Sequence, residues 1–192
     1  MATFAAAIPV LMEHEGGVGN VGDGEGITAF GWTLATCRKL GIAQPATIAE
    51  AEEMYQLYFW LPIYDKIVSQ SVATKVFDDA VNQGPGVAHK MLQQALCSIG
   101  AIVVVDGKFG PATLSAVNMV PEAMLLPWMR LHQYIGYDLY INADPAEREK
   151  FRPGLAARAA WPDPEKAIAP TLLNCTYRPE PIGGNSGKIT NT

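Results

Sequence analysis

The sequence predicts a mainly α fold with a small loop or hairpin in its N-terminal part. Apolar residues recur at helical spacing in one segment after another. Glycines and prolines separate these segments and mark where the helices end. With 192 residues, 49% of them hydrophobic, the chain is long enough to bury one sizeable core.

The first predicted helix leads into a glycine-rich segment. Its apolar face consists of Phe4, Ile8, Leu11 and Met12. Thr3 is the expected N-cap, and Pro9 either kinks this helix or delays its start. The pair Gly16-Gly17 ends it. Residues 18–33 are rich in glycine and polar groups, which predicts a loop or a short hairpin.

Three helices are predicted in the middle of the chain. A capping box over residues 47–50, T-I-A-E, opens a helix that ends near Pro62. The next helix spans about 72–83, and the triplet Gly84-Pro85-Gly86 breaks it. A third helix follows and ends at Gly100; its apolar residues are Leu92, Ala95, Leu96 and Ile99.

The C-terminal part is also mostly helical. A β-branched run leads into a turn at Asp106-Gly107, and Pro111 is expected at the first position of a new helix. A long helix in the region 121–142 is interrupted or bent near Pro127, and Asp144-Pro145 opens another. From Trp161 onward prolines recur and no helical period remains, so an extended tail is expected.

Composition excludes several classes of protein. The net charge of −5 argues against nucleic acid as a partner, because phosphate neutralisation requires a basic face. No run approaches the roughly 18 apolar residues of a membrane span. The apolar run from Phe4 to Met12 has no preceding Lys or Arg, so no signal peptide is expected. Three scattered cysteines and three scattered histidines predict reduced thiols, no metal site and no cofactor.

Glu15 is the strongest candidate for a catalytic group. It lies eleven residues after Phe4 and therefore on the apolar face of the first helix, where a carboxylate is partly desolvated. It also lies at the helix C-terminus, whose partial negative charge disfavours ionisation. Both effects favour a carboxyl that can donate a proton, as the acid of a glycosidase must. The alternative is that Glu13 and Glu15 are both solvated residues at a helix end.

Further polar groups follow Glu15 in the glycine-rich segment. Asp23, Glu25 and Thr28 can face the helix-end carboxyl and hold a water molecule across a cleft. Inverting glycosidases need such a second group, about 6.5–9.5 Å from the acid. The alternative is an ordinary turn, in which Asp and Thr bind neighbouring backbone groups.

Motifs along residues 4–158 resemble glycoside hydrolase family 108. The segments that carry the resemblance are His14-Glu15-Gly16-Gly17, Thr28-Ala29-Phe30-Gly31-Trp32-Thr33, Tyr58-Phe59-Trp60-Leu61-Pro62-Ile63, Phe77-Asp78-Asp79-Ala80-Val81-Asn82-Gln83-Gly84-Pro85-Gly86 and Val105-Asp106-Gly107 to Thr113. The last of these is similar to the family's peptidoglycan-binding segment. Phe151, Gly154, Leu155 and Arg158 weakly match its final helix. Each motif is weak alone, but their order is specific.

The resemblance implies a lysozyme-like fold and cleavage of the β-1,4 bond between N-acetylmuramic acid and N-acetylglucosamine in peptidoglycan. The family's catalytic Glu falls on Glu15, its loop Asp on Asp23 and its Thr on Thr28. The implied organisation is a catalytic region 1–86, a peptidoglycan-binding region 87–160 packed on it, and the tail 161–192. The loop departs from the family pattern, however. It is one residue shorter, and Glu25 competes with Asp23 for the second role.

Three further residues are candidates for substrate binding: Trp60, Asp78 and Asn82. Trp60 can stack on a sugar ring, although an aromatic residue at helical spacing usually belongs to the core. Asn82 can bind an acetamide group or satisfy the adjacent turn. Arg148, Arg152 and Arg158 are interpreted as a solvated face.

Two other functions remain open from the sequence: a lytic transglycosylase, which uses one Glu and no water, and an inactive binding or structural module of a phage particle. An acidic protein suits placement next to an anionic wall better than diffusion to it. Many members of the family come from phages and prophages, so the resemblance implies a phage-encoded protein, which we expect to be made in the bacterial cytoplasm. It is then carried in the virion, with residues 161–192 docked on a phage structural protein, or released with a holin.

Overall fold

The computed structural model describes residues 1–15, 19–20 and 27–162 of the chain. In this part the fold is mainly α and lysozyme-like, with a small antiparallel sheet, which confirms the predicted fold class. The helices in chain order are α1 (Phe4–Glu15), α2 (Leu34–Leu40), α3 (Ile48–Phe59), α4 (Gln70–Gln83), α5 (Pro85–Ser98), α6 (Pro111–Met119), α7 (Glu122–Asn142), α8 (Pro145–Arg148) and α9 (Arg152–Ala160). None of these helices is long and apolar enough to cross a membrane.

Helix α1 begins and ends close to the predicted positions. Thr3 caps it, because its Oγ1 accepts a hydrogen bond from the Ala6 amide at 3.3 Å. Pro9 lies inside the helix without ending it. Glu15 is the last helical residue, so its side chain projects from the C-terminal end of α1. The glycines predicted to stop the helix lie outside the described residues.

Local signals in the sequence also set the ends of later helices. Thr47 Oγ1 accepts from the Glu50 amide at 3.2 Å and caps α3, as the capping box predicts. Gly84, with φ of +89°, ends α4, and Pro85 starts α5 at once. Pro111 is the first residue of α6. Pro127 lies within α7, which is one continuous helix.

The predicted hairpin is present as a three-stranded antiparallel sheet. Strands β1 (Gly19–Asn20), β2 (Ile27–Ala29) and β3 (Trp32–Thr33) pair in that order, with Thr28 opposite both Gly19 and Thr33. Phe30 and Gly31 form the two-residue turn between β2 and β3, with φ of 51° and 83°. Two positive φ angles are the geometry that twists a tight hairpin correctly.

Helix α4 is the central element of the core. It packs between α1 and α5, and α7 packs against both α5 and α9. Nine consecutive residues of α4, from Val72 to Ala80, are buried, including the charged Lys75, Asp78 and Asp79. Buried charges need partners. Gln133 of α7 donates to Asp79, whereas the partners of Lys75 and Asp78 come from α9 and α1 and form the site described next.

Candidate active site

The Glu15 carboxylate forms an ion pair with Arg158, the residue that lies 143 positions later in the chain. Arg158 Nη2 donates to Glu15 Oε1 at 2.5 Å. The side chains are 15% and 9% exposed, so the pair is largely shielded from water. The predicted partial desolvation of Glu15 is therefore present. The predicted apolar surroundings are not, since a guanidinium faces the carboxylate.

Asp78 holds the same guanidinium from the other side. Arg158 Nε donates to Asp78 Oδ2 at 2.9 Å, and Nη2 donates to Oδ1 at 2.9 Å. Asp78 Oδ1 also accepts from His14 Nδ1 at 2.9 Å. Four side chains from α1, α4 and α9 thus form one chain of charge-assisted hydrogen bonds: Glu15, Arg158, Asp78 and His14.

The charges in this chain stabilise one another. Burial raises the pKa of Asp78, but the hydrogen bond from His14 and the charge of Arg158 outweigh it and hold the pKa below its ordinary value. Burial likewise opposes the charge of Arg158, yet Asp78 and Glu15 hold the pKa of its guanidinium above the ordinary value. Asp78 therefore stays ionised and balances the charge of Arg158.

Lys75 anchors the helix that carries Arg158. It is buried on α4, one turn before Asp78, and its Nζ donates to the carbonyl oxygens of Arg158 at 3.0 Å and Ala159 at 2.9 Å. These carbonyls belong to the last turn of α9, where a cation is favoured by the helix dipole. Burial lowers the pKa of the Lys75 ammonium. Helix α4 thus fixes both the backbone and the side chain of Arg158.

The hairpin turn closes the other side of Glu15. The backbone of Gly31 lies against the Glu15 side chain, and Tyr55 of α3 donates from its hydroxyl to the Phe30 carbonyl at 3.0 Å. Burial and, after it, the charge of Glu15 raise the pKa of Tyr55, so the hydroxyl keeps its proton and remains a donor. Tyr55 therefore ties the turn to the helical core beside Glu15.

Thr28 is a buried residue with a hydroxyl that is available for another partner. It is 8% exposed, and its Oγ1 makes no hydrogen bond with the residues that the structure describes. A buried hydroxyl without a partner carries a desolvation cost, and a functional site is one place where that cost is tolerated. Asp23 and Glu25, the other two predicted helper residues, lie outside the described residues.

The substrate-binding predictions need two corrections. Trp60 is 7% exposed, its ring packs against Phe4 and Phe77, and its Nε1 donates to Asp65. The ring belongs to the core and is not free to stack on a sugar. Asp78 is 2% exposed, and its carboxylate accepts from Arg158 and His14, so it supports Arg158 and is not free to bind a sugar. Asn82 is exposed at the end of α4 and stays a prediction.

Arg158 is the residue that the sequence interpretation missed. Of the three arginines assigned to a solvated face, Arg148 stacks on Tyr140 and Arg152 pairs with Glu149 and Asp138 near the surface. Arg158 is buried and reaches Glu15 instead. The signal in the sequence that could have identified Arg158 is its match to the final helix motif of glycoside hydrolase family 108.

The described residues contain no group of three or more His, Cys, Asp or Glu side chains that could hold a metal ion. The chemistry that they can perform is proton transfer by Glu15, with Arg158 as a donor to its carboxylate. A shielded carboxyl at a helix end with a short hairpin beside it is compatible with the chemistry of a glycosidase.

Comparisons with known proteins agree with that class. Residues 8–84 match the model of the family Glycosyl hydrolase 108, and residues 87–160 match the Predicted Peptidoglycan domain. Together the two matches support a glycosidase that acts on peptidoglycan. No curated protein matches the chain significantly.

The fold is also similar to a solved structure described as the structure of Brucella abortus SagA. The two share 24% sequence identity, with a TM-score of 0.58. The match covers 81% of this chain and 95% of the other. At this identity the likeness bears on the fold alone.

Proposed function

We propose that the chain is an N-acetylmuramidase that cleaves the β-1,4 bond between N-acetylmuramic acid and N-acetylglucosamine, with Glu15 as the general acid. The observation that carries the proposal is the position of Glu15. It is a shielded carboxyl at the end of α1, inside the region that matches Glycosyl hydrolase 108 and between the hairpin turn and Arg158. In this reaction Glu15 protonates the leaving glycosidic oxygen.

The attacking water requires a second group. Thr28 supports this role, because its buried hydroxyl has capacity for a hydrogen bond. The carboxylate that acts with it is Asp23 or Glu25. If Asp23 is the helper, Asp23→Asn should impair turnover far more than Glu25→Gln, and the reverse result would assign the role to Glu25. Equal and mild effects would favour a lytic transglycosylase, which needs no activated water.

The decisive experiment compares Glu15→Gln with Glu13→Gln. Both residues lie on the last turn of α1, but Glu13 is exposed and makes no contact with Arg158 in the described structure. We expect Glu15→Gln to lower the release of reducing ends from purified peptidoglycan by at least about 10²-fold. Because Gln can still accept from Arg158, the protein should remain folded. Near-normal turnover of Glu15→Gln would reject Glu15 as the general acid, whatever the activity of Glu13→Gln.

The product distinguishes the two enzymatic alternatives. A muramidase adds water and leaves a reducing N-acetylmuramic acid, whereas a transglycosylase leaves a 1,6-anhydro product that is one water lighter. Mass spectrometry of the released muropeptides separates them. A wild-type protein that is folded but releases no muropeptide would instead indicate an inactive binding module.

We further propose that the protein is phage-encoded and placed at the wall by a docked C-terminal tail. The acidic net charge supports placement at the wall over free diffusion to it, and the proline-rich composition after Trp161 supports an extended tail that can dock. Deletion of residues 165–192 should leave the glycosidase activity intact and abolish incorporation into phage particles. Co-purification of the truncated protein with virions would contradict the docking.

A further inference from the structure

We propose that Arg158 is a positioning residue for Glu15: by occupying Oε1 it directs the catalytic proton to Oε2, on the side of the hairpin turn. The inference rests on the proposed function, because it takes Glu15 as the acid. It assigns a role in the glycosidase reaction to a residue from the region that matches the peptidoglycan domain.

The two oxygens of Glu15 have different surroundings. Oε1 accepts from Arg158 Nη2 at 2.5 Å. Oε2 faces the hairpin, where a Cβ built on Gly31 would lie 2.6 Å away. A guanidinium has only donors, so an oxygen that it occupies is a poor place for a proton. The proton that is transferred to the glycosidic oxygen is therefore carried by Oε2.

Arg158 is held in place strongly enough to fix the Glu15 rotamer. Its Nε and Nη2 bind Asp78 at 2.9 Å, while Lys75 binds the backbone carbonyl of Arg158 itself at 3.0 Å. The guanidinium is planar and its donors are rigidly arranged, so one side chain can bridge two carboxylates. A lysine could satisfy only one of them with comparable geometry.

The same contact serves the state after proton transfer. Once Glu15 has donated, it is a carboxylate, and Arg158 stabilises the charge that has formed without needing to move. Asp78 accepts from Arg158 and from His14, so the buried charge of the arginine is already balanced. The charged and titratable side chains that lie around Glu15 in the described structure are Arg158, Asp78, His14 and Tyr55.

The test compares Arg158→Lys and Arg158→Met with Arg152→Met. Arg152 is the control, because it lies on the same helix and its removal also breaks two ion pairs, with Glu149 and Asp138, neither of which includes Glu15 or Asp78. Arg158→Lys keeps a cation beside Asp78, so this variant can still be measured if Arg158→Met does not fold. The measurements are the rate at saturating peptidoglycan as a function of pH, and the stability of each protein alone and with Glu15→Gln.

We expect Arg158→Lys to lower the maximal rate by about 10-fold and Arg158→Met by about 100-fold, since a misplaced catalytic group costs up to about 10²-fold. The basic limb of the pH–rate profile should also move to higher pH in Arg158→Met, because a cation next to the acid has been removed. Arg152→Met should keep the wild-type rate and profile. The stability effects of Glu15→Gln and Arg158→Met should be non-additive, which reports the contact without any reference to activity.

The outcomes separate the two proposals. If Glu15→Gln is inactive but the Arg158 variants keep the wild-type rate and profile, the positioning role is overturned and the muramidase assignment stands. If the Arg158 variants lose rate with no shift in profile and only as much as Arg152→Met, the role is structural and the inference is also overturned. If Glu15→Gln is active, the proposed function fails, even when the stability coupling between Glu15 and Arg158 is measured.

Discussion

Gly31 and Glu15 lie so close together that the site tolerates no side chain at position 31. A Cβ built on Gly31 would lie 2.6 Å from Glu15 Oε2 and 2.9 Å from Glu15 Cβ, and it would also overlap the Tyr55 hydroxyl. Gly31 has φ of +83°, a conformation that side chains rarely adopt. The hairpin can approach the acid only because this turn residue is glycine.

Gly31→Ala should therefore damage activity more than stability. We expect a loss of at least about 10-fold in turnover, because the new methyl group must displace Glu15 or the hairpin. The matched control is Gly41→Ala: Gly41 has a similar φ of +70°, but a Cβ there meets nothing within 4 Å. Both variants should lose about 1–2 kcal/mol of unfolding free energy from the backbone strain, and Gly31→Ala should lose more, because its Cβ also meets Tyr55 and Glu15. Equal activity of the two variants would show that the crowding at Glu15 is unimportant.

Thr28→Val should lower activity without lowering stability. The substitution keeps the shape of the side chain and removes a buried hydroxyl that has no partner among the described residues. Thr113→Val is the control. Thr113 is also buried, but its hydroxyl accepts from Gln93 at 3.3 Å, so its loss should lower the melting temperature and leave turnover unchanged. A Thr28→Val protein with full activity would remove Thr28 from the site.

Gln93→Leu should destabilise the fold through the Asp106-Gly107 turn. Gln93 is buried, accepts from the Gly107 amide at 2.8 Å, and donates to Asp106 Oδ1 at 3.0 Å and the Lys108 carbonyl at 3.1 Å. Leucine removes the acceptor of the Gly107 amide and the donor to two oxygen atoms of the turn, so we expect a loss of about 1–3 kcal/mol in urea unfolding. The neighbouring substitution Gln94→Leu should change stability little. If Gln93→Leu and Gln94→Leu have the same unfolding free energy, the hydrogen bonds of Gln93 do not stabilise the turn.

Acid should destabilise the protein through its buried histidines. Burial lowers the pKa of His132 to about 4, and burial also lowers the pKa of His89. Because the folded pKa lies below the ordinary value of 6.5, the stabilisation is complete above pH 6.5 and is lost as the pH falls toward 4. For His132 the loss is on the order of 3 kcal/mol at pH 4.

Melting temperatures between pH 7.5 and pH 4 measure this effect. His132→Gln, which cannot titrate, should show a shallower decline than the wild type over this range. Parallel curves for the two proteins would show that the acid sensitivity comes from other groups. His89 is the next group to test, because its Nδ1 must donate to the Gly107 carbonyl, and its Nε2 then accepts from Tyr64 at 2.6 Å.

Local signals in the sequence determined most of the secondary structure. The cap at Thr47, the break at Gly84-Pro85 and the start of α6 at Pro111 are where the residues predict them. Each of these helix ends depends on backbone conformation or on a hydrogen bond within a few residues, so it can be predicted without knowledge of the tertiary contacts. The placement of Glu15 at the C-terminal end of α1 follows from the same kind of signal.

Only the tertiary structure decided which charged residues surround Glu15. Arg158 and Trp60 are the clearest cases. The sequence analysis assigned Arg158 to a solvated face and named Trp60 as a candidate for stacking on a sugar ring, but the fold buries both side chains. The partners of Arg158 are Glu15 and Asp78, which are 143 and 80 residues away in the chain. Burial of a charge is favourable only when its partner arrives in the same place. No local pattern in the sequence brings these partners together. Helix α9 packs on α7, and Lys75 of α4 binds its last turn, which places Arg158 between Asp78 and Glu15.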